Sequence, residues 1–326
     1  MRTRLCDLLD IERPIVQAPM GGVVAPKLAA AVSEAGGLGT LPITWSDPGT
    51  IGDLVRETRA LTSRPFGVNL LLAWPQEERL ALALEAGAPV VSLGWGSGPE
   101  LIEQAKNGGA KVLFTVGTPD EARSIADAGA DAVVAQGWEA GGHVWGDIAT
   151  LALVPAVVDA VDVPVVAAGG IADGRGVAAV LALGASGAWV GTRFILAEES
   201  SAHPEYRQLL LDAGTGDTVH SMLFDGGWPD APHRTLRNST VNAWEQAGRP
   251  VAGSRPDEGA EVARRADGSS IPRYASSTPA EGHEGEIEAM SLWAGQSVGL
   301  VTHPQTAAEI VRELDEGADE VLRGLR

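Results

Sequence analysis

One histidine of this sequence stands where a reactive side chain could work, in the stretch EAGGHVWGD from Glu139 to Asp147. Histidine is the usual proton-transfer side chain near neutral pH. Two glycines precede His143, and glycine allows a backbone to bend close to a ligand. This context favours a general base or a hydrogen-bond donor to a substrate, and the alternative is an ordinary hydrogen-bonded loop residue. No H-x-x-x-H pair accompanies His143, so no metal site is expected.

A second chemical signal is a pair of glycine-rich turns between Pro164 and Phe194, in PVVAAGGIADGRGVAAVLALGASGAWVGTRF. Gly169-Gly170 and Gly191-Thr192 each follow an apolar run, and Asp173 begins a helix after the first pair. Bare backbone N–H groups and a helix N-terminus together suit a phosphate. Glycines that only make tight turns are the alternative, but two such turns at adjacent strand ends favour phosphate. The stretch GGIADGRG lacks the G-x-G-x-x-G spacing of a dinucleotide fingerprint.

Further candidates stand at the ends of other apolar runs. Glu139 could orient the imidazole, but we interpret it as a solvated surface charge. Asn69 lies inside the run FGVNLLL, and its amide would bond to a ligand or to a neighbouring loop. In VQAPMGG, Pro19 fixes the backbone and Met20 offers an apolar surface for a flat ring. Five tryptophans near strand ends could wall an apolar pocket or only pack the rim: Trp45, Trp74, Trp95, Trp138 and Trp145.

These distant turns need a scaffold that brings them together, and the sequence repeats one pattern that can do so. Ala-rich helical runs end on glycine, the favoured helix terminator, and lead into short β-branched runs. The runs show little alternation, as expected when both faces of a strand are buried. Eight strand–helix units predict an α/β fold, a closed (β/α)8 TIM barrel, rather than an open doubly wound sheet. The predicted strands are Ile15–Ala18, Gly37–Leu41, Phe66–Leu71, Val90–Leu93, Val112–Val116, Ala132–Gln136, Val165–Ala168 and Ala188–Gly191.

The pattern stops after Phe194, where the sequence becomes polar and rich in proline and glycine. It ends on an amphipathic run that begins near Thr302 or Thr306 and reads as the delayed eighth helix. We therefore expect a barrel domain from residues 1–205 and 288–326, with a smaller second domain, 206–287, inserted between strand 8 and the last helix. The insertion would cover the C-terminal face as a lid or substrate domain, or serve only as a peripheral decoration.

Composition limits the partners. Hydrophobic residues make up 44% of the 326 residues, which argues against disorder. A net charge of −19 opposes nucleic acid and anionic membrane surfaces. The single cysteine, Cys6, rules out an internal disulfide and a cysteine-based zinc site. No stretch approaches the ~20 apolar residues of a membrane span, and the start of the sequence does not resemble a secretion signal. We expect a cytoplasmic protein.

Five stretches taken together resemble one known family. VQAPMGG, QGWEAGGH, PVVAAGGIADGRG, GAWVGTRF and the late LWAGQSVGLV are similar to motifs of the nitronate monooxygenase family, formerly called 2-nitropropane dioxygenases. They occur in the right order over nearly the whole chain. The resemblance implies FMN bound in a (β/α)8 barrel with a smaller second domain. FMN-dependent enoyl-acyl-carrier-protein reductases share almost the same motifs.

The resemblance also implies roles for individual residues. His143 matches the family's catalytic histidine. Some relatives carry lysine where Thr115 stands, so the flavin potential is expected to differ here. The residues implied to bind FMN are Ala18, Pro19 and Met20 near the ring, Asn69 and Gln136 at polar ring or ribityl atoms, Gly141 and Gly142 close to the cofactor, Gly169, Gly170, Gly191 and Thr192 at the phosphate, and Gln296 closing the site.

The implied reaction is the oxidation of an alkyl nitronate, or a nitroalkane, by FMN and O2 to a carbonyl compound and nitrite. His143 would hydrogen-bond the nitro oxygens, or remove the α-proton of a neutral nitroalkane. The alternatives are an NAD(P)H-dependent reductase of enoyl thioesters or quinones, and a flavin-storing or partner-binding barrel that turns over neither substrate. A homodimer is compatible with the sequence.

Overall fold

The β-branched runs form eight parallel strands that close into a barrel in the computed structural model, which describes residues 1–325. Side chains of neighbouring residues in one strand lie on opposite faces of the sheet. Val133 packs outward against the helices, and Val134 packs inside the barrel. The ring closes where the Leu38 N–H donates to the Ile15 carbonyl and the Gln17 N–H donates to the Leu38 carbonyl, both at 2.9 Å. The predicted (β/α)8 barrel is confirmed.

The strands are numbered in chain order, and eight of them form the barrel. The barrel strands are β1 (Ile15–Gln17), β2 (Thr40–Pro42), β3 (Gly67–Leu71), β4 (Val90–Gly94), β5 (Lys111–Val116), β6 (Ala132–Gln136), β8 (Val165–Ala168) and β9 (Gly187–Val190). The others are β7 (Gly142–His143), β10 (Thr218–Ser221), β11 (His233–Leu236), β12 (Glu261–Arg264), β13 (Ser270–Pro272) and β14 (Glu284–Gly285). Around the barrel the order is β1-β9-β8-β6-β5-β4-β3-β2, so each predicted strand has formed within a few residues of its expected bounds.

The helices of residues 1–325 are numbered in chain order, and most of them follow barrel strands and cover their outer faces. They are α1 (Arg4–Leu9), α2 (Pro26–Glu34), α3 (Pro48–Leu61), α4 (Glu77–Glu85), α5 (Pro99–Asn107), α6 (Pro119–Asp127), α7 (Thr150–Val158), α8 (Gly174–Ala182), α9 (Thr192–Ile195), α10 (Pro204–Asp212), α11 (Ser239–Gln246) and α12 (Ala307–Gly324). Leu5 and Leu9 of α1 pack into the inner cluster and cover the end where the strands begin. None of the helices in residues 1–325 has both the length and the apolarity that crossing a membrane requires.

The eighth helix of the barrel is α12, because it packs between α8 and α2 and so completes the ring of helices. Its sequence position is late, after a long segment that follows β9. A capping box fixes where it begins: Thr306 accepts from the Glu309 N–H at 3.2 Å, and the Glu309 carboxylate accepts from the Thr306 N–H at 2.9 Å. Of the two starts that the sequence allowed, Thr306 is the one used.

The segment between β9 and α12, called the inserted segment from here on, builds two small antiparallel sheets. In one, β11 lies between β10 and β7, and β7 belongs to the loop that follows β6 of the barrel. In the other, β12 lies between β13 and β14. The first sheet is therefore shared between the barrel and the inserted segment, and it ties that segment to the loop that carries His143.

The capping box predicts the effect of a single substitution. Thr306→Ala removes the acceptor for the Glu309 N–H and should lower the free energy of unfolding by about 1 kcal/mol. Thr302→Ala is the matched control, because Thr302 is exposed and its hydroxyl contacts only the neighbouring His303 ring. Urea unfolding followed by circular dichroism measures both. Equal losses in the two variants would contradict this assignment of the helix start.

Candidate active site

A cavity of about 230 Å³ opens where the barrel strands end, beneath the inserted segment. Trp228, Thr278 and Trp293 of that segment line it from above. Strand ends and the loops after them line it from below, which is where the active sites of such barrels lie. The family resemblance implied thirteen catalytic or cofactor-binding residues, and twelve of them line this cavity: Ala18, Pro19, Met20, Asn69, Gln136, Gly141, Gly142, His143, Gly169, Gly170, Gly191 and Thr192.

The two glycine turns form one concave part of the cavity wall. Gly169 and Gly170 have φ of 103° and 71°, conformations that favour glycine. The backbone N–H groups of Gly169, Gly170, Gly191 and Thr192 have no protein acceptor among residues 1–325. Unpaired N–H groups at a cavity wall are available to an anion.

Gly191 differs from the other glycines of the site, because nothing in the protein requires it. Its backbone is not in the left-handed region, and a Cβ there would meet only Ala18 Cβ at 3.5 Å and Met20 Sδ at 3.8 Å. By contrast, a Cβ on Gly169 would meet the Gly137 carbonyl at 2.8 Å. A side chain at 191 would instead occupy cavity space, so this position is explained by a ligand that approaches closely.

The N-terminus of α8 is not available to bind a phosphate, although the sequence suggested that it would be. The Asp173 carboxylate accepts from the N–H groups of Arg175 and Gly176, at 2.9 and 3.2 Å. It also pairs with the Arg175 guanidinium, and these contacts lower the pKa of Asp173 against the opposing effect of its burial. The first amides of the helix are thus already satisfied, and its N-terminus carries a carboxylate rather than an open anion site.

Gly141 and Gly142 play different structural roles. A Cβ on Gly141 would lie 2.3 Å from the Gly295 N and 2.5 Å from the Ala294 carbonyl carbon, so this glycine lets the loop pack on the inserted segment. Gly142 has φ of 68° and belongs to β7, opposite Arg234 of β11. Contact with the protein alone accounts for the first glycine, and backbone conformation accounts for the second.

Asn69 and Gln136 line the cavity, but their amides also bond to protein. Asn69 Nδ2 donates to the Ser92 hydroxyl at 3.2 Å. The sequence left open whether this amide bonds to a ligand or to the protein, and its nitrogen bonds to the protein. Gln136 Nε2 donates to the His143 carbonyl at 3.2 Å, and Gln136 Oε1 accepts from the Trp145 N–H at 2.8 Å. Gln136 therefore holds the backbone from the His143 carbonyl to the Trp145 N–H.

His143 sits in an aromatic box. Its ring stacks on Trp228, with centroids 4.0 Å apart and planes 29° apart, and Trp293 and Trp95 lie at 5.1 and 5.8 Å. His143 Nε2 is buried and has no hydrogen-bond partner in the described residues. Burial, and secondly the charge of His233, lower the pKa of His143 to about 3. The imidazole is therefore neutral near pH 7.

His233 of β11 lies opposite His143, with ring centroids 5.6 Å apart. Its Nε2 accepts from the Phe224 N–H at 3.1 Å, so the ring proton is on Nδ1 and donates to the Ala231 carbonyl at 2.9 Å. Burial is the main reason that the pKa of His233 falls to about 4. A neutral, fully bonded His233 thus supports the chain opposite His143 without adding charge.

Two expectations about neighbouring residues were wrong or only partly right. Glu139 is not a solvated charge: it is half-buried, and it accepts from the N–H and hydroxyl of Thr150 at 2.9 and 2.8 Å, where α7 begins. Gln296 does not line the cavity, whereas Gly295 and Ser297 do. The Gln296 N–H donates to the Glu139 carbonyl at 3.0 Å, so its backbone helps to hold the inserted segment on the His143 loop.

The tryptophans divide into two groups. Trp45 and Trp95 line the cavity, and Trp74 packs against the rim through Trp45 and Trp228. Trp138 instead stacks under the Arg234 guanidinium at 4.2 Å, and Trp145 donates to Glu121 at 3.0 Å. Sequence reasoning missed the two indoles closest to His143, Trp228 and Trp293, although the turn GGWP around Trp228 was a visible signal in the polar segment.

The cavity carries no formal charge. Among the described residues that line it, none is Asp, Glu, Lys or Arg. Thr115, where some relatives were expected to carry lysine, is among the lining residues. Because His143 is also neutral, a bound anion must rely on N–H donors rather than on a cation.

Comparisons with known proteins agree with the geometry. The family model described as "Nitronate monooxygenase" matches residues 2–80 and 73–317. The nitronate monooxygenase of Pseudomonas aeruginosa is 36% identical, over 97% of this chain and 99% of that protein. A Rhodococcus jostii protein, (3aS,4S,5R,7aS)-5-hydroxy-7a-methyl-1-oxo-octahydro-1H-indene-4-carboxyl-CoA dehydrogenase, is 41% identical, over 76% and 69% of the two chains. The solved structure of FabK from Thermotoga maritima superimposes with a TM-score of 0.83 at 36% identity, covering 100% and 99%.

The two depressed histidine pKa values predict how stability depends on pH. Both lie below the ordinary histidine pKa of 6.5, so between about pH 4 and 6.5 the unfolded chain binds protons at these sites and the folded chain does not. The free energy of unfolding should therefore fall as pH decreases through this range. His143→Phe should flatten the dependence by about one proton, measured by urea unfolding at pH 5 and 7. His303→Phe, at an exposed position, is the control; equal slopes in all three proteins would refute the assignment.

Proposed function

Because this chain belongs to the nitronate monooxygenase family and is an oxidoreductase, we propose that it binds FMN in the cavity and oxidises alkyl nitronates with O2 to a carbonyl compound and nitrite. The observation that carries this proposal is a neutral, unpaired imidazole, that of His143, in the same uncharged cavity as a group of unpaired backbone N–H donors. Those donors suit the phosphate of FMN, and the imidazole suits the nitro group of a substrate.

The fit of FMN rests on residues of this chain. The N–H groups of Gly169-Gly170 and Gly191-Thr192 would bond to the phosphate, and the absent side chain of Gly191 would leave it room. Ala18, Pro19 and Met20 offer an apolar wall for the ring, next to Gly191. When bound, FMN supplies the electron-accepting chemistry, and the protein binds and orients the reactants.

The pKa of His143 favours one of the two roles that the sequence left open. A histidine with a pKa of about 3 is a weak base, so removing the α-proton of a nitroalkane would be unfavourable. A neutral imidazole can still donate one hydrogen bond. We therefore assign His143 to hydrogen-bonding the nitro oxygens, and the preformed nitronate is the better substrate.

We also propose that residues 206–287 act as the lid or substrate domain of the site. Trp228 covers one face of the His143 ring, and Thr278 lines the cavity beside it. Together with Trp293 they would exclude water from the reacting atoms, which strengthens the hydrogen bond from His143. The shared sheet of β10, β11 and β7 would couple this covering segment to the position of His143.

A second candidate is the reduction or oxidation of an uncharged thioester substrate. The uncharged cavity wall favours this second candidate, since a neutral thioester group needs no cation to bind it. One relative, 41% identical, is named as the dehydrogenase of a carboxyl-CoA compound. This candidate requires a nicotinamide or an acyl compound as the electron donor, whereas the leading proposal requires a nitronate.

Anaerobic mixing tests the proposal directly. Propyl-2-nitronate should bleach the visible absorbance of the FMN-loaded protein, and NADH and NADPH should not. His143→Leu should slow this bleaching by about 100-fold or more, while His143→Gln, which keeps a donor, should retain part of the rate. His303→Leu is the matched control, because His303 is exposed and outside the cavity. Bleaching by a nicotinamide alone would favour the second candidate, and a normal rate in His143→Leu would remove His143 from the reaction.

The glycine cradle predicts a separate binding defect. Gly191→Ala should raise the dissociation constant of FMN by about ten-fold or more, because the new methyl group would occupy ligand space, while the melting temperature stays unchanged. Gly216→Ala, where a Cβ would meet nothing within 4 Å, should change neither quantity. Quenching of FMN fluorescence on titration with apoprotein measures the affinity. Wild-type affinity in Gly191→Ala would place the phosphate elsewhere.

A further inference from the structure

Four indoles meet at one end of the cavity, although they come from four separate parts of the chain. Trp45, Trp74 and Trp95 follow β2, β3 and β4, and Trp228 comes from the inserted segment. Trp228 is the centre of the group, with ring centroids 5.9, 4.8 and 4.6 Å from Trp45, Trp74 and Trp95. All three pairs meet edge to face, the geometry that aromatic rings prefer.

Two features indicate that this group is more than packing at the rim. Trp45 is 56% exposed although it lines the cavity, so part of a large apolar ring faces solvent. Trp95 has φ of 63°, a left-handed conformation that is costly for a residue with a side chain. Such strain tends to be retained at sites where a side chain must point in one direction for a ligand.

The surroundings limit the chemistry of that ligand. No acidic or basic side chain lines the cavity in the described residues, and the imidazole beside the indoles is neutral. A charged substituent placed among the indoles, away from the His143 donor, would lose its hydration without gaining a partner. An uncharged ring would keep both its burial and its electrostatic fit to neighbouring indoles, whereas an alkyl chain would gain only from burial.

We propose that Trp45, Trp95 and Trp228 form a substrate subsite beside His143 that selects uncharged groups carrying a flat ring. This inference rests on the proposed function, since it places the nitro group of the substrate at His143 and its substituent among the indoles. Trp228 is the main specificity-determining residue, because it contacts the other indoles and also stacks on the His143 ring. Trp74 supports it from the rim without lining the cavity.

Calorimetric titration under anaerobic conditions tests the subsite on the FMN-loaded protein. Three probes share the nitro group and differ in the substituent: (2-nitroethyl)benzene, 1-nitrooctane with the same number of carbon atoms, and nitroethane. The ring compound should bind about ten-fold more tightly than nitroethane and about three-fold more tightly than the octyl compound. Equal affinities for the ring and the octyl compound would overturn the preference for a ring.

Variants locate the effect. Trp228→Leu should abolish the preference for the ring over the octyl chain, and Trp228→Phe should retain most of it. Trp45→Leu gives a second measurement at an exposed position, where loss of the fold is not expected. Trp244→Phe is the matched control, because Trp244 packs against Val241 and Arg249, away from the cavity. An unchanged ring preference in both Trp228→Leu and Trp45→Leu would refute the subsite.

Two probes without a nitro group separate this inference from the proposed function. 2-Phenylethanol should bind more tightly than 1-octanol, and Trp228→Leu should remove the difference. If that result is found but nitronates do not bleach the flavin, the subsite stands and the proposed reaction fails. If nitronates bleach the flavin and the alcohols bind equally, the reaction stands and the subsite fails.

Discussion

The pairing of two-residue strand β7 with β11 is the contact on which the site depends. It is the point where the loop that follows a barrel strand becomes part of the inserted segment's own sheet. Through it the His143 backbone is held on one side by β11 and on the other by the Gln136 amide. The imidazole is then buried under Trp228, and that burial is the main cause of its depressed pKa. The position of His143, its burial and its neutral charge state therefore all follow from the pairing of β7 with β11.

The absence of formal charge from the cavity wall is the second constraint, and it determines which groups each part of the cavity can bind. A wall without formal charge cannot stabilise an anion by ion pairing, so under the proposed function the glycine turns do so with peptide N–H groups. The overall charge of −19 makes such local donors more necessary, since the field of the whole protein opposes anions. The same neutrality makes the indole end favourable for uncharged substituents. The glycine turns thus suit a phosphate, and the indoles around His143 suit an apolar group.

The sequence predicted the barrel and twelve of the residues that line the cavity because those signals are local. Glycine-terminated helices and β-branched runs occur in continuous stretches, and Gly169-Gly170 and Gly191-Thr192 mark strand ends by themselves. It failed where the outcome depends on contacts between distant segments. Glu139 looked exposed because its partner, Thr150, becomes a neighbour only when α7 begins there. Trp228 and His233 lie about 90 residues after His143 in the sequence and reach it through the pairing of β7 with β11. A two-residue strand such as β7 is too short to be recognised from the sequence.

The late position of α12 ties both ends of the inserted segment to the barrel. The segment leaves the barrel after β9 and returns to it as the eighth helix, so it is anchored at both ends by elements that the barrel itself requires. Buried Arg193 in α9 strengthens the return, since it donates to the His303 carbonyl and pairs with Glu313 of α12. Loss of the segment's fold would then leave the ring of helices incomplete. Stability of the barrel and coverage of the cavity are consequently coupled, because both depend on the return of the chain through α12.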